Sequence, residues 1–128
     1  MLYLDTNILI YLFEKHDRFS NQVASILEKY TNQNKQLITS VITVTEFLAG
    51  TTSSTLQTLH QVPNLSIIFL DSTLAEQAAQ LQRKEKINIG DAIHLATALQ
   101  HNALSFFTND RPLSKIVEKY IPVINLSH

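Results

Sequence analysis

Apolar positions along this chain fall into two kinds of pattern. Short, nearly continuous runs occur at Leu2–Leu4, Leu37–Ile42, Leu65–Leu70, Ala103–Phe107 and Val123–Leu126. Their Ile, Val, Phe and Tyr content predicts strands buried on both faces. Between them the period lengthens. Val23, Ile26, Leu27 and Tyr30 fall at i, i+3, i+4 and i+7, one stripe of an amphipathic helix. Leu74, Ala78 and Leu81 keep the i, i+4, i+7 part of that spacing, as do Ala92, Ala96 and Leu99. A weaker helix is predicted over Ser54 to Gln61, with Leu56 and Leu59 inward, stopped by Pro63-Asn64. Strands alternating with helices predict an α/β protein, a three-layer α/β/α sandwich around a central, mostly parallel sheet of about five strands.

With 128 residues, the chain is expected to form a single domain over 1–128. That length suffices to bury about two thirds of the unfolded surface. The run Ile8 to Phe13 is far too short to span a bilayer. Within it Ile10, Tyr11 and Phe13 read as core or, second, as part of an interface. An acid interrupts the opening Met1-Leu2-Tyr3-Leu4-Asp5 and no basic stretch precedes it, so no secretory signal or membrane association is expected and the predicted location is cytoplasmic. Only two glycines are present, Gly50 and Gly90, which excludes a Walker loop and a G-x-G-x-x-G turn. The absence of cysteine excludes disulfides, thiolate zinc sites and cysteine nucleophiles. The histidines His16, His60, His101 and His128 form no i, i+4 ligand pair, so zinc is not expected.

Acids mark the junctions between these elements. Asp5 ends the first strand, Glu46 follows the second, Asp91 opens the Ala92–Gln100 helix and Asp110 follows the fourth strand. Each also reads as an ordinary helix cap: Thr43-x-x-Glu46 has the spacing of a capping box, Asp91 follows Gly90, and Asp110 precedes Pro112 at the start of a helix. Taken jointly they suggest more, because ligands of open parallel sheets sit beyond the carboxyl ends of the strands. Were the four acids within roughly 6 Å of one another, each like-charge pair would cost about 3 kcal/mol at an effective dielectric near 20. Six such pairs rival the stability of a whole domain, about 5–15 kcal/mol. A cluster of that kind must be protonated or neutralised. Oxygen donors alone point to Mg²⁺ or Mn²⁺, ions suited to phosphodiester cleavage.

The chain's net charge of −1 advertises no polyanion partner. Without the four acids the balance is ten basic against seven acidic residues, a background that can accept RNA once the pocket holds a cation. Arg111 and Lys115 near Asp110, and Lys84 and Lys86 near Asp91, are candidate phosphate contacts, although each also reads as a solvated surface charge. His94, one turn after Asp91, is a candidate for contacting a phosphate or a bound water, or else a packed core histidine.

The segments Leu4-Asp5-Thr6-Asn7, Thr45-Glu46-Phe47, Gly90-Asp91-Ala92-Ile93-His94-Leu95-Ala96-Thr97-Ala98 and Thr108-Asn109-Asp110 resemble the PIN-domain ribonucleases. The short stand-alone length resembles the VapC-like toxin branch in particular. The resemblance implies a metal-dependent endoribonuclease acting on single-stranded RNA, with Asp5, Glu46, Asp91 and Asp110 as the carboxylate quartet around Mg²⁺ or Mn²⁺. It implies that Asn7 orients Asp5 or its water, and that Thr6 and Thr108 are supporting hydroxyls. It also implies a homodimer, and an antitoxin that wraps the protein and blocks the acidic site. The stretch Lys86-Ile87-Asn88-Ile89-Gly90 lacks a further acid that some relatives carry, a departure that bears on a full second metal site and not on the first, and the resemblance leaves one or two metals open.

Two alternatives belong to other classes. A receiver-like signalling domain would use Asp71, after the third strand, as phosphoacceptor. That design wants adjacent acids after the first strand and a Lys ending the last, whereas Thr6 follows Asp5 and the last strand ends Asn125-Leu126. The other is a non-catalytic PIN-like binding module whose acids serve only as caps.

Overall fold

The computed structural model describes residues 1–14, 18–51 and 56–127. Strands β1 (Leu2–Leu4), β2 (Leu37–Ser40), β3 (Leu65–Ile68), β4 (Ser105–Phe107) and β5 (Val123–Ile124) form one sheet in the order β3-β2-β1-β4-β5. Every pairing is parallel. The helices are α1 (Thr6–Phe13), α2 (Ser20–Asn32), α3 (Val41–Gly50), α4 (Leu56–Leu59), α5 (Ser72–Glu85), α6 (Ile89–Gln100) and α7 (Arg111–Val117).

Side-chain alternation along the strands assigns the two faces. Leu2, Leu4, Leu37 and Phe107 pack with Ile8 and Leu9 of α1, Val23 and Leu27 of α2 and Phe47 of α3. Tyr3, Ile38 and Phe106 turn the other way, onto Leu95 and Ala98 of α6 and Leu113 and Val117 of α7. The rings of Tyr3 and Phe106 stack there at 4.8 Å. Helix α5 packs Leu74 and Ala78 against Ala92, Ile93 and Ala96 of α6. Each large buried side chain contributes about 1.5–3 kcal/mol of transfer free energy, so both layers are firmly held. The three-layer expectation is thus met, with a sheet wholly rather than mostly parallel.

Several boundaries differ from expectation. The apolar run Ile8–Phe13 is helix α1: Ile8 and Leu9 are buried, and Ile10, Tyr11, Leu12 and Phe13 pack partly buried on the same core. An unbroken apolar run gives no period by which to tell a helix from a strand. Strand β2 stops at Ser40 instead of Ile42, because the Ser40 hydroxyl accepts from the Ile42 N–H and starts α3. The β-branched stretch Val41 to Thr45 favours a strand by propensity, and the packing of Phe47 overrides it. Thr43-x-x-Glu46 is therefore not a capping box. Of the helix predicted over 54–61, Leu56–Leu59 is helical and the residues at 54 and 55 lie outside the described set. Left-handed turns are made by Asn34, Asn64, Lys86 and Asn102 rather than by glycine. Asn tolerates that conformation best among ordinary residues, which is how a chain with two glycines turns so often.

The order places the topological switch between β1 and β4, since the chain runs outward from β1 through β2 to β3 before returning to β4. The crevice at the carboxyl end of this strand pair is the expected binding position for the architecture. Among the described residues no helix is long and apolar enough to cross a membrane.

Candidate active site

Asp5 and Asp110 leave the sheet on the two sides of that crevice. The Asp5 N–H donates to Phe107 O at 3.0 Å, tying the end of β1 to the end of β4. Asp5, a predicted site residue, caps α1: its Oδ1 accepts from the Thr6 N–H at 2.9 Å, and only 6% of its surface is exposed. Its Oδ2 accepts from the Thr108 hydroxyl at 2.7 Å, and Thr108 Oγ1 accepts from the Asp110 N–H at 3.0 Å. Thr108 thereby couples the two acids. Asp110 caps α7, its Oδ1 accepting from the Leu113 N–H at 3.0 Å.

Glu46 reaches the crevice from the second turn of α3. Its Oε1 accepts from the Thr6 hydroxyl at 2.6 Å and lies 2.8 Å from His94 Nε2. The His94 bond holds the Glu46 carboxyl below its ordinary range, while burial works the other way and the Thr6 hydroxyl adds to the drop. Gly90, on the first turn of α6, lets the other oxygen approach: a Cβ there would meet Glu46 Oε2 at 3.3 Å. The sequence showed no role for this glycine, and close approach is its reason.

His94 is 1% exposed, with both ring nitrogens engaged inside the protein, so it does not reach a substrate phosphate. Its Nδ1 lies 2.6 Å from the Tyr3 hydroxyl, which accepts from the Ser40 N–H at 3.1 Å. Its Nε2 also lies 3.5 Å from Asp5 Oδ1. Burial opposes a charged imidazole, but the Glu46 bond and the charges of Asp5, Glu46 and Asp91 outweigh it and raise the His94 pKa. Burial pushes the Tyr3 phenol well above its ordinary value, and the Asp5 charge adds to this. Tyr3, Thr39, Ser40 and Thr43 were not singled out in the sequence. Thr39 Oγ1 donates to Leu4 O at 2.8 Å and lies 2.7 Å from Thr43 Oγ1, lining the floor beneath Thr6. The signal available was the position of Tyr3 between Leu2 and Leu4, which turns it to the α6 face.

Asp91 does not cap α6. That cap is Asn88, whose Oδ1 accepts from the Asp91 N–H at 2.8 Å and whose Nδ2 donates to Asp91 Oδ2 at 3.1 Å. The Asp91 carboxyl is half-buried, and burial together with the charges of Asp5, Asp110 and Glu46 pushes its pKa up to about 6, against a smaller opposing pull from His94. The four acids therefore share one electrostatic field. Among the described residues, however, no group of three or more His, Cys, Asp or Glu is drawn together into a ready-made metal cage. The donor chemistry still fits a hard divalent ion. Asp5, Asp91, Asp110 and Glu46 Oε2 are oxygen donors, and the repulsion written into Asp91 is what a cation there would relieve.

Other expectations shift. Asn7 accepts through Oδ1 from the Asn109 N–H at 3.4 Å, which braces the β4–α7 turn. Arg111 and Lys115 are exposed on α7. Lys84 lies 5.7 Å from the centre of the Tyr120 ring, and Lys86 ends α5 in the left-handed conformation. Asp71 caps α5 beyond the edge strand β3, accepting from the Leu74 N–H, which places it across β2 from Asp5 and removes the receiver reading.

An all-parallel α/β/α sheet in the order β3-β2-β1-β4-β5, with Asp5 and Asp110 following its two central strands at the topological switch, defines the class of fold. The chain matches the PIN domain family over residues 2–119 and belongs to it. Its fold is similar to that of a toxin–antitoxin complex from Klebsiella pneumoniae, at 28% identity over 98% of this chain and 97% of that one, with a TM-score of 0.76. It is also similar to FitAcB from Neisseria gonorrhoeae, at 23% identity over 98% and 97% of the two chains, TM-score 0.70. VapBC2 from Rickettsia felis, solved with a DNA fragment from its promoter, matches at 21% identity over 98% of each chain, TM-score 0.67. The latter two likenesses concern the fold alone. Comparison with curated protein sequences finds no match.

Proposed function

We propose that this protein is a metal-dependent endoribonuclease cutting single-stranded RNA, and that it is the toxin of a toxin–antitoxin pair. The carrying observation is Asp91: its carboxyl is pushed up to about 6 by burial and by Asp5, Asp110 and Glu46, at the crevice where a parallel sheet binds ligands. A protein does not retain such repulsion for capping, since Asn88 already caps the helix. Membership of the PIN family and likeness to a toxin–antitoxin complex support the catalytic and toxin parts of the reading.

Asp5, Asp91, Asp110 and Glu46 would hold Mg²⁺ or Mn²⁺, which when bound would supply a more acidic water and stabilise negative charge at the scissile phosphate. The chain's own residues prepare that site. Thr6 N–H and Thr108 hydroxyl fix the two oxygens of Asp5 by one hydrogen bond each, and a carboxylate oxygen has further lone pairs with which to accept or ligate. Glu46, ionised and braced through Oε1, keeps Oε2 as a proton acceptor. Arg111 and Lys115 on the exposed side of α7 attract the phosphates of a strand lying across the opening. A homodimer, and an antitoxin that covers the acidic opening, complete the proposal.

The test is cleavage of a panel of single-stranded RNAs with Mn²⁺ and with chelator, using the unaltered protein, Asp5→Asn and Asp91→Asn. The expected result is chelator-sensitive cleavage that each variant reduces by at least about 100-fold, beyond the range for supporting groups. Cleavage that survives both substitutions removes the carboxylate mechanism. No cleavage of any RNA by the unaltered protein favours a binding module instead.

A further inference from the structure

The buried column Ser40–Tyr3–His94 ends on Glu46 and has no part in the carboxylate chemistry itself. Its polarity can be read from proton counting. The Ser40 N–H donates to the Tyr3 oxygen, and Tyr3 saturates His94 Nδ1. A carboxylate oxygen accepts, so in the 2.8 Å contact with Glu46 Oε1 the proton is assigned to His94 Nε2. The Thr6 hydroxyl has a single proton, and at 2.6 Å it also goes to Glu46 Oε1. Two donors thus converge on the same carboxylate oxygen. The other, Oε2, is left to face the first turn of α6 over Gly90.

We propose that His94 is a positioning residue for Glu46: footed on Tyr3 and the Ser40 N–H, it pins Oε1 so that Glu46 presents a single oxygen, Oε2, to the reaction crevice. This rests on the nuclease reading of the same site. Glu46 sits on the exposed side of α3 with 41% of its side chain accessible, and without this anchor it would sample rotamers pointing into solvent. The imidazole contributes a rigid donor from a helix packed into the core, the arrangement by which supporting groups orient acidic ligands. Its second approach, 3.5 Å to Asp5 Oδ1, sets the spacing between the two carboxylates. No proton is transferred and no bond is broken in this role.

The test combines substitution with nitrogen NMR. His94→Leu keeps bulk and removes the donor, whereas His94→Gln restores an N–H near the position of Nε2. Relative to the unaltered protein, His94→Leu is expected to lower kcat and weaken Mn²⁺ binding by about 10- to 100-fold, with KM for RNA unmoved. His94→Gln recovers most of both, and Tyr3→Phe falls between. Folded His94→Leu with unaltered kcat and Mn²⁺ affinity overturns the proposal, as does a folded His94→Gln no better than His94→Leu. Should position 94 tolerate no change, the ¹⁵N signals of the His94 ring in the unaltered protein decide. A protonated Nε2 whose signal moves in Glu46→Gln supports the proposal, and an unprotonated Nε2 overturns it. An unaltered protein that neither binds Mn²⁺ nor cuts RNA defeats the nuclease reading separately, and the ring signals still judge the hold on Glu46.

Discussion

On the β1–α3 side of the crevice, Asp5 and Glu46 are gripped by hydroxyl, imidazole and backbone donors. On the α6–α7 side, Asp91 has one bond from the Asn88 amide and Asp110 one from its helix N–H. The difference shows in the titration behaviour. Glu46, rich in donors, is held below its ordinary range, while Asp91, poor in them, is pushed up to about 6. One wall is therefore rigid and compensated, the other repelled and adaptable. A cation would gain most at the second wall, where the Asn88 amide and the pull of His94 offset the repulsion on Asp91 only in part.

The rigid wall is where substitution costs stability most. Thr108→Val removes the donor to Asp5 Oδ2 and the acceptor of the Asp110 N–H in a fully buried position. Each stranded group costs about 1–3 kcal/mol, so the expected outcome is a clear loss in urea unfolding together with reduced cleavage. A change confined to activity would show that this wall is less tightly built than its hydrogen bonds imply. On the adaptable side, effects on folding are smallest. Arg111→Ala and Lys115→Ala are expected to leave stability within about 0.5 kcal/mol. Each should lower the magnitude of the salt-dependence slope of RNA binding by about one. Unchanged slopes would remove α7 from the strand's path.

The sequence disclosed the layers and the acids more readily than the devices that hold them. Short apolar runs located the strands, and the 3.6-residue period located the helices α2, α5 and α6. Helices α1 and α3 were hidden, the first in an unbroken apolar run, the second in β-branched residues whose local preference is overruled by Ser40 capping and Phe47 burial. Asp5 and Asp110 do cap helices, so the bland reading and the site reading describe the same side chains. Asp91 is different, because the cap turned out to be Asn88. The Tyr3–His94–Glu46 column joins residues from β1, α6 and α3, with Tyr3 and His94 separated by 91 positions. No local pattern encodes such a contact. It follows only from strand order, which brings β1 to the centre of the sheet and turns Tyr3 toward α6.

The central claim is that the acids share a field that the fold tolerates only at a cost, relieved by a cation. Folding raises the Asp91 pKa from 3.8 to about 6, so this group's stabilising contribution is complete below pH 3.8 and is lost as pH rises through about 6. Above that range the charged carboxylate opposes folding by about 1 kcal/mol once its half-exposure is discounted. The most direct test is thermal unfolding of the unaltered protein and Asp91→Asn at neutral pH, with and without Mn²⁺. The account predicts that the metal-free variant melts higher than the metal-free unaltered protein, and that Mn²⁺ raises the melting temperature of the unaltered protein far more than that of the variant. A variant that melts lower, with a Mn²⁺ shift equal to that of the unaltered protein, would contradict it.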